Sequence, residues 1–152
     1  MSKWHGEPEQ LVRALFAVAA PDGLVVPVIP DTNTLSVAGI NRALRGLSER
    51  ARQGKLTLEE VQGGTFTVNN TGALGIVLSQ PIINHPQAAI LTTESIVQRP
   101  VVINDAIAIR SVMNLCLTFD HRVMDGSDAS AFINTVKVRL EAIGSDVDIH
   151  TG

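Results

Sequence analysis

Residues 115–126 read LCLTFDHRVMDG, and this stretch decides how the chain folds. Its beginning belongs to an alternating run that places four apolar side chains on one face: Met113, Leu115, Leu117 and Phe119. Alternation with a period of two is typical of a β-strand with one buried face. Apolar residues at helical spacing follow Gly126. The sequence therefore predicts a strand that passes through a short polar turn into a helix.

The N-terminal part of the chain predicts a pair of strands. They cover residues 11–20 and 24–29 and are joined by Pro21-Asp22-Gly23, whose composition favours a tight turn. Because Pro27 has no backbone N–H, the second run is predicted to be an edge strand or a strand with a break.

The next segment predicts two helices. Apolar residues at helical spacing indicate an amphipathic helix over 34–52, with Asn33 or Thr34 as its cap and Gly54 as the left-handed residue that ends it. Residues 57–60, TLEE, have the spacing of a capping box, in which hydroxyl and carboxylate satisfy the first backbone donors. A short second helix that ends by the next two glycines is therefore predicted.

The remainder of the chain predicts a sheet and a closing helix. Further strands are expected at residues 65–69, 88–97, 101–110 and 111–119, with a loop between the first two. The closing helix follows residue 126, and its apolar stripe comprises Ala129, Phe132, Ile133, Val136, Leu140 and Ile143. Strands grouped with a few helices give an α+β architecture, a mixed β-sheet with helices packed on one face.

The composition excludes several classes of protein. The chain has 152 residues, 45% of them apolar and 18% charged, which fits one folded domain rather than a disordered segment. A net charge of −3 without a dense basic run excludes a nucleic-acid surface. The apolar run Ala14–Ala20 is too short to cross a bilayer, and no signal peptide is recognised. A lone cysteine, Cys116, fits a reducing compartment and a cytoplasmic location.

The polar turn carries the residues most suited to chemistry. Four ionisable side chains fall within residues 120–125. Among them His121 has the side chain whose ordinary pKa, about 6.5, lies nearest neutrality, so it can accept and return a proton. His121 is therefore the candidate general base. The alternative is a histidine that ties the turn down by hydrogen bonds, with Asp125 as the cap of the following helix.

Residues 120–126, DHRVMDG, resemble the His-x-x-x-Asp-Gly signature of the dihydrolipoamide acyltransferase (E2) components of 2-oxo acid dehydrogenase complexes. Chloramphenicol acetyltransferase shares this signature more loosely. Four further blocks follow the order and spacing of the family: AAPDGLVVPVI at 19–29, GKL at 54–56, GGTFTVNN at 63–70 and PIINHPQAAIL at 81–91. The resemblance extends from about Phe16 to Ile143, and residues 69–72 and 84–86 look most like branched-chain members.

The resemblance implies a chloramphenicol acetyltransferase-like fold that lacks its leading elements. Residues 1–14 do not match the family, residues 15–143 correspond to a partial catalytic domain, and residues 144–152 are expected to form a loose tail. Members of the family carry a lipoyl domain, a flexible linker and a peripheral subunit-binding domain upstream. The sequence is therefore interpreted as an N-terminally truncated catalytic domain, or one in which the leading elements are dispensable.

The resemblance further implies acyl transfer between dihydrolipoamide and coenzyme A. His121 would take the proton of the attacking thiol, whose ordinary pKa of about 8.5 keeps it mostly protonated at neutral pH. In much of the family a serine donates to the oxyanion of the tetrahedral intermediate, and the matching position here is Asn69. An asparagine amide can also donate, with Asn70, Thr71 and backbone amides as substitutes. The alternative is that these residues stabilise a loop.

The remaining implications concern other groups and partners. Asp125 would support and orient the turn that bears His121. Arg122 is expected to form an internal ion pair, and Cys116 to be a half-buried strand thiol. Coenzyme A is the expected substrate, and a separate domain is expected to supply the lipoyl group. No metal site is expected, because the histidines lack the sequence spacing that is typical of metal ligands.

Members of the family form homotrimers, from which larger cages are built. Their active sites lie between subunits, with the histidine from one chain and the oxyanion donor from the next. Partners would be the lipoyl domain and, through regions outside this sequence, the E1 and E3 components, with no nucleic acid and no membrane. The alternative function is a catalytically silent assembly module that retains the trimer-forming surface.

Overall fold

The computed structural model describes residues 14–16, 18–20 and 23–143. These residues form two compact units that divide after Thr65. The predicted tail at 144–152 lies outside the described residues, as does the non-matching segment at 1–14 except for Ala14. No helix in the described ranges is long and apolar enough to span a membrane.

The first unit begins with two short antiparallel strand pairs. Strand β1 (Ala14–Phe16) pairs with β4 (Val28–Ile29), and β2 (Val18–Ala20) pairs with β3 (Gly23–Val25). The predicted pair of strands is thus confirmed, together with its break. The break falls at Val26 and Pro27, where the proline removes a backbone donor.

Helix α1 (Val37–Arg52) confirms the predicted amphipathic helix. The predicted caps, Asn33 and Thr34, are wrong, because residues 32–34 form a separate 3₁₀ turn in which the Thr34 hydroxyl donates to the Asp31 carbonyl. Ser36 caps the helix instead, and its hydroxyl accepts from the Gly39 N–H at 3.1 Å.

Gly54 ends α1 as predicted. Its φ of +65° lies in the left-handed region, which a glycine adopts without steric cost. The reversal directs the Lys55 N–H back to the Arg50 carbonyl at 2.9 Å, so one of the last carbonyls of the helix is satisfied.

The short helix predicted after Thr57 is wrong. Half of the capping box does form, since the Glu60 carboxylate accepts from the Thr57 N–H at 3.0 Å. The chain nevertheless forms only turns here, and the Glu60 carbonyl accepts from the Val28 N–H at 2.8 Å. Because that carbonyl bonds a distant strand, it does not begin a helical ladder, and a tertiary contact overrides the local signal.

The second unit is built on a mixed sheet of three strands. Strand β5 (Phe66–Asn70) pairs in parallel with β6 (Ala89–Thr93), and β9 (Leu115–Phe119) pairs antiparallel with the other edge of β6. The central strand β6 is the most buried, as expected for a strand with a neighbour on each side. The α+β architecture with a mixed sheet is therefore confirmed.

The strand predicted over 101–110 is wrong in its bounds. Strands β7 (Val97–Ile103) and β8 (Ala106–Val112) form an antiparallel hairpin that bends at Asn104 and Asp105. Both turn residues have positive φ, 51° and 61°, a conformation that Asn and Asp tolerate better than other side chains. The hairpin leaves Val102 74% and Ile107 81% exposed.

Helix α2 (Gly126–Glu141) confirms the closing helix. Its predicted stripe is only partly buried. Ala129 is buried and the Phe132 ring lies 5.7 Å from the Phe66 ring, whereas Leu140 is 44% and Ile143 52% exposed. A helix of this length extends about 24 Å and a five-residue strand only about 17 Å, so the end of the stripe projects beyond the sheet.

Candidate active site

The polar turn after β9 is held by its first residue, Asp120. The Asp120 N–H donates to the Ala88 carbonyl at 2.8 Å, which ties the turn to the beginning of β6. Its carboxylate accepts from the Arg122 backbone N–H at 2.9 Å and from the guanidinium at 3.0 Å and 2.6 Å. The Arg122 side chain and backbone hold the pKa of Asp120 at about 2. The predicted internal ion pair of Arg122 is confirmed.

His121 is exposed at the tip of this turn. Its ring lies 5.5 Å from the Phe119 ring, tilted by 47°, so the last side chain of the strand supports one side of the imidazole. Within the described part of the chain, no hydrogen bond engages either ring nitrogen of His121. Within the described residues Asp120, and not His121, ties down the turn, whereas the Asp125 cap that the same alternative included does form.

Asp125 caps helix α2. Its Oδ1 accepts from the Ser127 N–H at 2.8 Å, the Ser127 hydroxyl at 2.6 Å and the Asp128 N–H at 3.1 Å. The Ser127 hydroxyl, then the backbone donors of Asp128 and Ser127, lower the pKa of Asp125, and the charge of His121 lowers it further. The carboxylate is therefore ionised, and its hydrogen bonds fix the start of the helix.

Asn69 lies near the end of β5 with its side chain half-buried. Its Oδ1 accepts from the Asn70 N–H at 2.9 Å, which fixes the orientation of the amide plane. The other end, the Nδ2 group, has no hydrogen-bond partner among the residues that the structure describes. Asn69 therefore stabilises its loop through one end of the amide and presents a free donor at the other.

The strand register separates Asn69 from His121 within one chain. Asn69 is opposite Thr92, and Thr92 is opposite Cys116. Phe119 lies three residues further along β9, which is about 10 Å along the strand direction. Two strand spacings of about 5 Å add about 10 Å across the sheet, so the backbones of Asn69 and Phe119 are roughly 14 Å apart. His121 lies two residues beyond Phe119. The structure therefore does not bring the candidate base and the candidate donor to the same end of the sheet.

The sequence patterns do not single out Glu94, which is 2% exposed at the end of β6. Its carboxylate accepts from the Ser79 hydroxyl at 2.6 Å and from the Thr71 hydroxyl. Burial acts to raise the pKa of Glu94, but hydrogen bonds from Ser79, Thr71 and Cys116 outweigh it and leave the pKa below its ordinary value. The signal in the sequence that could have indicated Glu94 is a single carboxylate directly after the strand-forming run AAILTT.

Thr71 and Cys116 are engaged with this carboxylate. Because the Thr71 hydroxyl donates to Glu94, its proton is committed to an internal acceptor. Burial, with a further contribution from the Glu94 charge, raises the pKa of the Cys116 thiol. A thiol with a raised pKa is a poor nucleophile, which agrees with the prediction of a half-buried strand thiol.

Two cavities lie away from His121. One of about 240 Å³ is lined by Asn70, Gly72, Thr93, Glu94, Ser95, Ile96 and Met113, beside the loop that follows Asn69. The other, of about 530 Å³, lies in the first unit between α1 and the turns around Glu60, and contains none of the candidate residues. In the described ranges, no group of three or more His, Cys, Asp or Glu side chains is arranged to hold a metal ion.

Comparisons with known proteins give consistent matches. Residues 12–145 match the family of 2-oxoacid dehydrogenases acyltransferase (catalytic domain). The lipoamide acyltransferase component of the branched-chain alpha-keto acid dehydrogenase complex of Bacillus subtilis is 47% identical over 153 residues, covering 98% of this chain and 36% of that protein. The chain thus spans about a third of the length of this relative.

Solved structures agree in fold. A probable dihydrolipoamide acetyltransferase from Listeria monocytogenes matches with a TM-score of 0.88 and 46% identity, over 98% of this chain and 64% of that chain. The dihydrolipoamide acetyltransferase of Azotobacter vinelandii, studied for the roles of one serine, one histidine and one asparagine in catalysis, matches with a TM-score of 0.80 and 36% identity, over 84% of this chain and 53% of that chain. The predicted chloramphenicol acetyltransferase-like fold is confirmed at this level.

Proposed function

Because the chain belongs to the family of 2-oxoacid dehydrogenase acyltransferase catalytic domains, we propose that it transfers a short acyl group between dihydrolipoamide and coenzyme A, with His121 as general base. The exposed imidazole, whose nitrogens have no hydrogen-bond partner among residues 14–16, 18–20 and 23–143, supports this role. His121 accepts the proton of the attacking thiol, and the sulfur forms a bond to the thioester carbonyl carbon. The tetrahedral intermediate then expels the other sulfur, which takes the proton back from the imidazolium.

Asn69 is proposed as the oxyanion donor. Its Oδ1 is held by the Asn70 N–H, which leaves Nδ2 to donate to the developing negative charge. The spacing in the Azotobacter vinelandii enzyme supports this assignment. The serine studied there precedes the histidine by as many positions as Asn69 precedes His121. The asparagine studied there follows that histidine by as many positions as Asp125 follows His121. The amide thus replaces a hydroxyl as donor.

Asp125 is proposed to position His121. As the cap of α2 it fixes the end of the turn that bears the imidazole. The hydrogen bonds from Ser127 and Asp128 hold the Asp125 carboxylate in place, so the turn keeps one geometry between the strand and the helix.

The observation that carries the proposal is the separation of Asn69 from His121 by the strand register. A reacting carbonyl must lie about 3 Å from both the attacking sulfur and the oxyanion donor, and the two groups of one chain are too far apart to serve it. We therefore propose a homotrimer whose sites combine His121 of one copy with Asn69 of the next. The exposed Val102 and Ile107 on the β7–β8 hairpin fit an assembly in which apolar surface is covered.

The remaining partners follow from the family. The lipoyl group is supplied by a separate domain, coenzyme A is the second substrate, and the E1 and E3 components and a larger cage belong to the whole complex. We propose residues 15–143 as the part that corresponds to the catalytic domain, flanked by 1–14 and 144–152. A cytoplasmic location stays a prediction.

The experiment that tests the function is acyl transfer from a short acyl-coenzyme A to dihydrolipoamide. The variant His121→Ala is expected to lower kcat by about 10²- to 10⁴-fold, because a positioned proton acceptor is lost. Val123→Ala is the matched control, since Val123 is an exposed neighbour in the same turn. Unchanged activity in His121→Ala refutes the assignment of the base. Trimers in sedimentation that neither bind coenzyme A nor turn over would indicate the silent assembly module.

A further inference from the structure

Glu94 is a buried carboxylate that the acyl-transfer chemistry does not use. A charge with 2% exposure is tolerated only when hydrogen-bond donors replace the lost water. Two hydroxyls do so here, those of Thr71 and Ser79, and they come from the beginning and the middle of the loop between β5 and β6. The carboxylate therefore fastens that loop at two points.

Thr71, the first of these two attachment points, lies two residues after the candidate oxyanion donor Asn69. The Thr71 N–H donates to the Thr93 carbonyl at 3.1 Å, and the Ser95 hydroxyl donates to the Gly72 carbonyl at 2.9 Å. A Cβ on Gly72 would lie 2.5 Å from the Glu94 carbonyl oxygen. The backbone at Gly72 is thus in close contact with the backbone at Glu94 and Ser95, and two hydrogen bonds join the segments 71–72 and 93–95.

This packing determines where the Asn69 amide points. The Asn69 Oδ1 accepts from the Asn70 N–H, and Thr71 is the next residue along the chain. The Asn69 carbonyl also accepts from the Thr93 hydroxyl at 3.4 Å. Because only Asn70 separates Thr71 from Asn69, a displacement of Thr71 acts on the end of the strand that carries this N–H and thereby redirects the Nδ2 group of Asn69.

Resting on the proposed role of Asn69, we propose that Glu94 is a positioning residue for the oxyanion donor. Its hydrogen bond with the Thr71 hydroxyl restrains the residue that follows Asn70, and the Asn70 N–H holds the Asn69 amide by its Oδ1. Glu94 itself does not touch the reacting atoms. The Ser79 hydroxyl satisfies the same carboxylate but lies ten residues from Asn69 along the chain, so it stabilises the charge without restraining the residue next to Asn70.

The test compares two substitutions that each remove one hydroxyl from Glu94. Thr71→Val is expected to lower kcat by about 10- to 100-fold with unchanged KM values, because a misplaced donor affects the transition state and not substrate binding. Thr71→Ser, which keeps the hydroxyl, is expected to restore most of kcat. Ser79→Ala, the matched control, is expected to leave kcat near wild type. Equal losses in Thr71→Val and Ser79→Ala would overturn the proposal, since they would indicate general loosening of the loop.

A double-mutant comparison shows whether the effect passes through Asn69. In the Asn69→Ala background, Thr71→Val is expected to cause no further loss of kcat, because the group that it orients is already gone. A full additional loss contradicts the proposal.

A spectroscopic measurement separates this inference from the proposed function. In a two-dimensional ¹H–¹⁵N spectrum, the Asn69 side-chain amide signal is expected to shift in Thr71→Val and to stay in place in Ser79→Ala. This readout requires no turnover. If Asn69→Ala leaves kcat unchanged while the signal shifts, the oxyanion assignment fails and the positioning by Glu94 stands. If Thr71→Val folds and the Asn69 signal does not move, the positioning is refuted.

Discussion

Mixing two inactive variants tests whether the active site lies between subunits. His121→Ala retains the donor and Asn69→Ala retains the base, and each alone is expected to be nearly inactive. Within one chain the strand register holds these groups at different ends of the sheet, with about 14 Å already separating Asn69 from the strand end before His121. A single chain therefore does not supply both groups to one carbonyl.

The expected magnitude follows from counting the sites of a mixed trimer. Each site takes His121 from one chain and Asn69 from the next around the ring, a head-to-tail arrangement. In an equal, random mixture, half of the chains carry an intact His121 and half of their neighbours carry an intact Asn69. About a quarter of the sites are then complete, and activity is expected to recover to about a quarter of the wild-type value.

The assay is acyl transfer after the two variants are unfolded together and reassembled. Each variant taken through the same treatment alone, and the two mixed without unfolding, are the controls. Mixed trimers that are no more active than their components would refute the site between subunits. Substantial activity of Asn69→Ala alone would instead remove Asn69 from the mechanism.

Three further predictions concern the turn and the loop. Asp125→Ala is expected to lower the midpoint of chemical denaturation through loss of the helix cap, with Asp125→Asn close to wild type; equal midpoints for Asp125→Ala and wild type would contradict the cap. Gly72→Ala is expected to cost about 1–3 kcal/mol in the same measurement, because its Cβ would meet the Glu94 carbonyl; no change in stability would contradict the tight packing. The pKa of Asp120, about 2 against an ordinary 3.8, lies below its unfolded value, so its ion pair with Arg122 stabilises the fold above about pH 4. That contribution is lost as the pH falls towards 2. Asp120→Asn is therefore expected to reduce the slope of unfolding free energy against pH between about 4 and 2, and an unchanged slope would contradict the ion pair.

Local signals in the sequence predicted most elements. The apolar periodicity of α1 and the glycine at position 54 were sufficient to predict this helix and its end, because both depend only on residues that are close together along the chain. Such signals failed where distant residues intervene. The capping box at Thr57 does not start a helix because the Glu60 carbonyl bonds Val28, and the hairpin turn at 104–105 interrupts a run that is apolar on both sides.

The candidate residues divide in the same way. His121 and Asp125 could be found from their spacing in a turn between a strand and a helix, since the turn itself brings them together. Glu94 could not, because its role depends on hydroxyls 15 and 23 residues away that only the folded loop places around one carboxylate.

The sequence by itself determined the kind of sheet, the closing helix and the presence of an imidazole in a polar turn. All three follow from the side-chain period and from turn-forming residues that are neighbours along the chain. Only the tertiary structure decided that Asn69 is aligned with Cys116, away from His121, and that Glu94 is buried beneath the loop after Asn69. The physical reason is that strand register and the burial of a charge are set by contacts between residues far apart in sequence.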